Sequence, residues 1–439
     1  MHYILIIYNI NDICYRMNVY IETHGCKLNI ADSQKISKEF LSSGFNISED
    51  INKSEIFVLN TCTVTKSADK KARNRLRSIK KNYPNIHLIA TGCYPQRNKD
   101  EVLALGIVDT IIKNEEKNDF IKIINEKFSI KNNTVDNYGI DKILLGRTRA
   151  SIAIQKGCNQ ICSYCIVPKV RGPENSVEPK EIIDQINYLD SKGCKEVVLT
   201  GTQLGTYGFD LKNYNLYKLL KEVLENTQIL RLRLSSVQPH EFNKDLLSLW
   251  NHKDFKKRLC AHFHIPLQSG SDKILKSMRR KYTISQFTDI TEKIKSTIKN
   301  SSITTDLIVG FPDESEIDHI NTKKLLKNSN ITEVHVFPYS VRPGTTAFYL
   351  DNKVQPSIIT KRAKEIREIS NKLKMKHLLS LINTGQNVLW ENSKTNSGYT
   401  ENYSYFRLSS NEIKLPNSSI SKVKIKSIEN EDLIGFIAK

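Results

Sequence analysis

GCNQICSYCIVP, residues 157–168, places three cysteines, Cys158, Cys162 and Cys165, on one short loop. The loop directly follows SIAIQK (151–156), an apolar alternation that predicts a strand. Soft sulfur ligands suit iron–sulfur clusters, so these three thiolates can hold three irons of a [4Fe–4S] cluster and leave the fourth iron open. A zinc site or a set of reduced core thiols is the alternative, but no fourth Cys or His follows at zinc spacing.

Working outward from this loop, the chain alternates short apolar runs with helical stretches, which indicates parallel βα units. Six such units predict a partial (β/α)6 barrel over residues 144–375, with the cysteine loop after its first strand. The expected strands are SIAIQK (151–156), EVVLT (196–200), RLRLS (231–235), HFHIP (262–266), TTDLIV (304–309) and EVHVFP (333–338). Expected helices include residues 180–192, 214–226 and 284–298.

A second set of cysteines lies upstream, in a predicted open parallel α/β domain over residues 17–128. The runs VYIET (19–23), EIFVLN (55–60) and HLIAT (87–91) predict three strands, and each is soon followed by Cys26, Cys62 or Cys93. Ligands of open parallel sheets lie at the carboxyl ends of the strands. The three thiols are therefore expected at one edge, where a metal site competes with buried core cysteines as their explanation.

Two further segments complete an α/β multidomain architecture. A polar stretch near residues 128–143 predicts a linker. After a basic helix near 360–383, short apolar alternations such as NVLW, YFRL, KVKIK and LIGFI predict a small all-β barrel, with residues 376–439 as the C-terminal domain.

Composition narrows the class of protein. The chain has 439 residues, nine cysteines and a formal net charge of +19. An odd number of cysteines without a secretory signal argues against a disulfide framework, and no apolar run is long enough for a membrane helix. We therefore expect a cytoplasmic protein without a membrane partner. The positive charge suits RNA, although a Lys- and Asn-rich composition explains it equally well.

The chain resembles the tRNA methylthiotransferases of the radical S-adenosylmethionine (SAM) superfamily. The resemblance rests on ten segments in order, THGCKLN, NTCTVT, GCYPQ, GCNQICSYCIVPKVRG, LTGTQLGTYG, RLSSVQP, HIPLQSG, MRRKYT, DLIVGFP and FPYSVRPGT. It implies SAM and two [4Fe–4S] clusters as cofactors. Cys158, Cys162 and Cys165 would carry the catalytic, radical-generating cluster, and Cys26, Cys62 and Cys93 a second one. Cys14, Cys194 and Cys260 match no family motif, and buried or incidental thiols are expected there.

The resemblance also assigns contacts to SAM. LTGTQLGTYG follows the second barrel strand, where enzymes of this type contact the methionine amino group, and it departs from the usual two glycines and an acid. The expected cofactor-binding residues are Thr202, Gln203, Ser235, Ser236, Gln268 and Gly310. Each is equally explained as a residue of a strand-end turn.

The implied reaction is sulfur insertion and methylation at C2 of a tRNA adenosine at position 37, in the anticodon stem–loop. NTCTVT and RGPENS resemble the branch acting on N6-threonylcarbamoyladenosine. The alternatives are N6-isopentenyladenosine, an aspartate of a ribosomal protein, and a non-enzymatic iron–sulfur RNA-binding protein. An electron donor and a sulfur source, both unidentified, are implied partners.

Two segments are expected to contact RNA. KSADKKARNRLRSIKK (66–81) carries eight Lys and Arg against one Asp, and is either a phosphate-binding face or a solvated helix. The C-terminal barrel resembles the RNA-binding TRAM module, in which Tyr399, Tyr403, Tyr405 and Phe406 are candidates for stacking on bases.

Overall fold

The computed structural model describes residues 16–128, 138–409 and 414–438. Cys14 and most of the expected linker lie outside them. The first unit contains, in chain order, β1 (Asn18–Thr23), α1 (Lys27–Ser42), β2 (Asn46–Ile47), β3 (Ile56–Thr61), α2 (Lys66–Asn82), β4 (His87–Gly92), α3 (Cys93–Arg97), α4 (Lys99–Leu103), β5 (Thr110–Ile112) and α5 (Phe120–Phe128).

The first unit is an open parallel sheet of order β2-β1-β3-β4-β5. Its central strand β3 is buried along its whole length, as the continuous apolar run of a two-faced sheet requires. The three predicted strands are confirmed as β1, β3 and β4. Their carboxyl ends meet at one edge, so Cys26, Cys62 and Cys93 leave the sheet on the same side.

The second unit contains α6 (Ile140–Leu144), β6 (Arg149–Lys156), α7 (Val167–Arg171), β7 (Asn175–Ser176), α8 (Pro179–Ser191), β8 (Glu196–Gly201), α9 (Leu216–Asn226), β9 (Arg231–Leu234), α10 (Lys244–Ser248), β10 (His262–His264), α11 (Asp272–Ser277), α12 (Ile284–Thr297), β11 (Ser302–Val309), α13 (Glu316–Lys327), β12 (Glu333–Pro338) and α14 (Pro356–Ser380).

These elements form the predicted partial barrel. Strands β7-β6-β8-β9 make one sheet and β10-β11-β12 another, and parallel bridges from Leu232 to Leu259 and from Ser236 to His264 join them. All six predicted strands are present as β6, β8, β9, β10, β11 and β12. Between β12 and β6 the barrel is open, and α1 of the first unit lies against the free edge of β6. There the backbone N–H of Ser151 donates to Gln34 Oε1 at 2.7 Å.

The third unit is a closed five-stranded barrel, as predicted. Its strands are β13 (Gly385–Asn392), β14 (Ser397–Thr400), β15 (Tyr405–Leu408), β16 (Ile420–Glu429) and β17 (Asp432–Ile437), in the order β13-β14-β15-β17-β16. The expected boundary between Met375 and Lys376 falls inside α14. The domain limits themselves stay predictions.

The turn between β14 and β15 docks on the amino ends of the barrel strands. Arg233 donates to the carbonyls of Thr400 and Glu401, and Ser302 Oγ donates to that of Asn402. Tyr403 stacks on the His262 ring with centroids 4.9 Å apart. The C-terminal barrel therefore closes the lower end of the larger barrel.

This docking changes the interpretation of the four aromatics expected to stack on bases. The Tyr399 ring stacks on Tyr403 at 4.8 Å, and the Arg149 guanidinium lies 4.9 Å from both ring centroids. Phe406 is fully buried against Trp390, and the Tyr405 hydroxyl bonds Ser397 Oγ at 2.7 Å. All four rings are therefore held by contacts within the protein.

Candidate active site

The Cys158–Cys165 loop is held at the carboxyl end of β6. Gly157 has φ +70°, and a Cβ there would collide with the Pro173 carbonyl, so only glycine permits the close approach. The Cys158 N–H donates to the Gly172 carbonyl at 3.1 Å, and the Ser163 N–H to that of Met278 at 3.1 Å. The loop is thus anchored to α7 on one side and to the end of α11 on the other.

Polar side chains from the loops after β8 and α11 contact the thiols. The Cys158 thiol lies 3.1 Å from Gln203 Oε1, and Arg280 Nη1 donates to Cys162 Sγ at 3.2 Å. Burial raises the pKa of Cys158 to about 11 and that of Cys165 to about 12. Charge on the neighbouring thiolates contributes to both increases in pKa. Metal binding would release their protons.

Two of the residues expected to contact SAM, Thr202 and Ser235, directly follow β8 and β9 at the carboxyl ends of these strands. Their hydroxyls are buried and, within the described chain, have no hydrogen-bond partner. Buried polar groups in folded proteins are almost always bonded, so two orphan hydroxyls at strand ends fit a polar ligand. Gln203 is fixed from both ends, by Cys158 and by Glu241 Oε1 at 2.7 Å.

The other three candidates have structural explanations as well. Gln268 is in the left-handed region at φ +65° and forms a bridge to Leu307, and Ser236 forms the bridge to His264. Gly310 has φ +75°, and the position of a Cβ is filled by the Ile359 side chain. These observations explain the residue types without testing their contact with SAM.

Sequence reasoning missed three polar residues of this site. Arg280 Nη2 donates to Gln238 Oε1 at 2.6 Å, and Gln238 Nε2 to Gln160 Oε1 at 2.9 Å. Glu241 caps its own turn and holds Gln203, and a Cβ at Gly205 would collide with it. The motifs RLSSVQP and MRRKYT contain Gln238 and Arg280, but only the fold reveals that they converge.

The second set of cysteines is drawn together at the edge of the first sheet. Cys62 and Cys93 are buried and Cys26 is exposed. Burial raises the pKa of Cys62 to about 12, and the Cys93 and Cys26 thiolates add to the rise. A Cβ at Gly25, where φ is +121°, would lie 2.8 Å from Cys62 Cβ. The Cys26 and Cys62 loops therefore pack tightly.

The two cysteine sets face each other across α7. Cys93 packs against Ile166 and Val170, immediately beyond Cys165. Asn114 Nδ2 lies 3.7 Å from Cys93 Sγ and donates to the Val170 carbonyl at 2.8 Å. Arg171 donates to Asp32 Oδ2 at 2.6 Å. Negative charge on Asp32, Cys93 and Cys26 raises the pKa of Arg171. Cys93 therefore lies beside the segment that directly follows Cys165.

A buried ionic contact fixes the first unit on the barrel. Arg342 Nη2 donates to Asp69 Oδ2 at 2.7 Å and to Thr63 Oγ1 at 2.8 Å. Arg97 joins the same pair, at 3.2 Å from Asp69. Thr63 directly follows Cys62, so this contact positions the Cys62 loop relative to the barrel.

Both thiol sets have the chemistry of cluster ligands. In the described residues, no three or more His, Cys, Asp or Glu side chains are spaced to hold a single metal ion. A [4Fe–4S] cluster makes a different demand, because each thiolate binds its own iron. Three soft donors at each of two strand edges, with no fourth protein ligand, fit such clusters.

The fold and the three-cysteine loop define a radical SAM enzyme. Residues 152–326 match the radical SAM superfamily, and residues 18–113 match a family described as uncharacterized protein family UPF0004. The structure of the radical SAM methyltransferase TsrM from Kitasatospora setae, with cobalamin and a [4Fe–4S] cluster bound, superposes with a TM-score of 0.54. The two chains are 13% identical, and the match covers 76% of this chain and 77% of that one. Membership of the superfamily gives this chain SAM and one [4Fe–4S] cluster as cofactors.

More similar relatives identify the family. Threonylcarbamoyladenosine tRNA methylthiotransferase MtaB of Aquifex aeolicus is 37% identical, covering 81% of this chain and 88% of the relative. The enzyme of the same name from Bacillus subtilis is 33% identical over 96% of this chain and 92% of its own. The tRNA-2-methylthio-N(6)-dimethylallyladenosine synthase of Dictyoglomus thermophilum is 34% identical, covering 88% of this chain and 90% of the relative. The chain belongs to the radical SAM tRNA methylthiotransferase family. No helix in its described residues could cross a membrane.

Proposed function

We infer that the protein is a threonylcarbamoyladenosine tRNA methylthiotransferase. It converts N6-threonylcarbamoyladenosine at position 37 to its 2-methylthio derivative. The observation that carries this conclusion is the pair of facing cysteine sites on a radical SAM barrel, together with relatives of that name matching most of the chain. The cytoplasm is its proposed location.

The substrate carbon explains why the reaction needs radical chemistry. C2 of adenosine has neither an acidic proton nor a leaving group, so a general base cannot activate it. Bound SAM and its cluster supply radical chemistry, while the protein supplies binding and orientation. Cys158, Cys162 and Cys165 would hold this cluster, with Thr202, Gln203, Ser235, Ser236, Gln268 and Gly310 around SAM.

We propose that Cys26, Cys62 and Cys93 hold a second [4Fe–4S] cluster. Support comes from their mutual proximity, from the glycine at position 25 that keeps two of their loops in contact, and from their position against α7. A cluster at this position, beside α7, is the proposed sulfur donor to C2. The electron donor and the original source of sulfur are separate partners.

The basic helix α2 is the proposed contact for the anticodon stem–loop. Arg75 pairs with Glu22 and Lys80 with Asp109, at 2.7 and 2.9 Å. Arg73 pairs with Glu101 at 2.6 Å. Four of the exposed cations follow one stripe of about 22 Å along the helix, which begins just beyond Cys62: Lys66, Lys70, Arg77 and Lys81. A stripe of this length suits successive phosphates.

Nucleoside mass spectrometry of tRNA tests the function. Cells lacking the gene should lose 2-methylthio-N6-threonylcarbamoyladenosine, and the wild-type chain should restore it whereas Cys158→Ala should not. Loss of the dimethylallyl counterpart instead would retain the chemistry and change the substrate, as the Dictyoglomus thermophilum relative suggests. No change in any nucleoside would direct attention to a ribosomal protein or to a non-enzymatic role.

A further inference from the structure

The lumen of the larger barrel contains a positively charged cavity. Alternate residues of its strands face inward, and those near the lower end are polar. A cavity of about 220 Å³ lies there, lined among others by Lys27, Arg149, Arg233, Val198 and Tyr403. Its walls come from all three units, since Lys27 begins α1 and Tyr403 belongs to the docked turn of the C-terminal barrel.

Lys27 is the unusual member of this lining. It follows Cys26 directly and enters the barrel through the opening that α1 covers. Within the described chain its ammonium has no carboxylate within 4.0 Å and no hydrogen-bond acceptor, and it lies 5.9 Å from the centroid of the Tyr403 ring. The first turn of α1 contains no acid, and the positive end of the helix dipole disfavours a cation there.

Two acids of this region are paired with arginines, and a third lies beside a histidine. Glu391 pairs with Arg149 at 2.9 Å. Glu196 is shared by two arginines, at 2.9 Å from Arg231 and 2.7 Å from Arg233. The Asp306 carboxylate lies 3.2 Å from His264. Positive charge is therefore left over in the cavity, and Lys27 carries it.

A partly buried cation without a partner is costly unless a ligand neutralises it. The cavity lies in the same barrel as the cysteine loop, below it. With C2 of adenine directed at the radical centre, the N6 substituent leaves the purine from a different ring carbon, C6. The threonylcarbamoyl group ends in a carboxylate, whereas a dimethylallyl group has no charge.

We propose that Lys27 binds the carboxylate of the threonylcarbamoyl group and so selects this substrate. The assignment rests on the proposed function and adds a specificity residue to it. Arg149 and Arg233, held by Glu391 and Glu196, supply a fixed positive field around the anion. A dimethylallyl substrate would leave the Lys27 ammonium unpaired, and such an unpaired charge discriminates against the uncharged substrate.

The test uses the reconstituted full-length enzyme and two anticodon stem–loop RNAs. One carries N6-threonylcarbamoyladenosine and the other its methyl ester, which keeps the shape and removes the charge. Wild type should prefer the acid by about 10- to 100-fold in kcat/KM, the value of one charge-assisted hydrogen bond. Lys27→Met should lose this preference and treat both RNAs alike. Lys27→Arg should recover part of it.

Binding of the two RNAs, measured by fluorescence anisotropy, gives a readout that does not depend on turnover. Iron and sulfide content checks that the change beside Cys26 has not damaged the clusters, and Lys35→Met, an exposed site on the same helix, is the matched control. If Lys27→Met still prefers the acid as strongly as wild type does, the assignment is wrong. If wild type methylthiolates only a dimethylallyl RNA, the proposed function itself has failed.

Discussion

The two cysteine sets bring three thiols together in opposite ways. Cys158, Cys162 and Cys165 lie within eight residues on one loop, whereas Cys26, Cys62 and Cys93 come from the ends of three separate strands. The loop needs only its own turns and two anchors, at Gly172 and Met278. The three thiols of the second set come together only when the parallel sheet has formed and the carboxyl ends of its strands are aligned.

This difference separates local from assembled geometry. A local site retains its ligand spacing when a distant part of the chain moves, because the loop closure is short. The assembled site depends on sheet register and on the contacts that hold the first unit to the barrel, notably Arg342 with Asp69. Perturbations should therefore divide into those that stop radical formation and those that only uncouple it from sulfur insertion.

The largest effect is expected from Cys158→Ala. Removing one of three ligands from the loop should abolish both reductive cleavage of SAM and methylthiolation, because the reactive species originates at this cluster. 5′-Deoxyadenosine and the modified nucleoside, both measured by mass spectrometry, should fall to background. Cys194→Ala, in a buried cysteine outside both sets, is the control and should retain both products.

Cys93→Ala should separate the two products. The loop cluster is untouched, so 5′-deoxyadenosine should continue to form within a few-fold of wild type, while the methylthiolated nucleoside disappears. Iron content per chain should fall by about half, from two clusters to one. Equal loss of both products would mean that the assembled site is needed for radical formation. The local and assembled sites would then not act separately.

The sequence allowed the local site and most of the fold to be predicted. The C-x3-C-x2-C spacing needs no tertiary information, and short apolar runs separated by helical stretches indicated β6, β8 and β11 as strands of parallel βα units. The edge position of Cys26, Cys62 and Cys93 followed from the rule that parallel strands end on one side. The resemblance to methylthiotransferases then specified their use.

Contacts between units could not be predicted from the sequence. Arg342 and Asp69 are 273 residues apart, and neither occurs in a pattern that indicates a partner. In the sequence, Lys27 is one of many cations of a basic chain, and only the fold places it in the lumen of the barrel. Tyr403 was a candidate for stacking on RNA bases because the C-terminal barrel resembles the TRAM module. Its stacking on His262 depends on a docking surface with no sequence signature.

A smaller effect is expected from Arg342→Met. The substitution leaves Asp69 buried with Arg97 as its remaining cation and should cost about 3 kcal/mol of stability. Because Thr63 also loses a donor, the Cys62 loop should shift, and the methylthiolated product should fall more than 5′-deoxyadenosine does. Urea denaturation and the two product assays measure these effects. Arg77→Met, at an exposed position on α2, should change stability by less than about 0.5 kcal/mol.

The smallest effect concerns His377, in the last turns of α14 beside the C-terminal barrel. Burial, and then the charge of Lys295, lowers its pKa from 6.5 to about 4. Between these two values the unfolded chain binds a proton that the folded chain does not, so stability is complete above pH 6.5 and is lost as the pH falls toward 4. The loss between pH 6.5 and 5.5 should be about 1 kcal/mol.

Comparing wild type with His377→Gln over this range isolates the histidine from other titrating groups, because only the difference between their stabilities is used. The difference in free energy of unfolding between wild type and His377→Gln should narrow as the pH falls. Formation of 5′-deoxyadenosine and methylthiolation should change together in both proteins. A separate loss of methylthiolation in this variant would show that the assembled site is also sensitive to the lower end of the barrel. In that case its geometry depends on all three units rather than on the first sheet and α7.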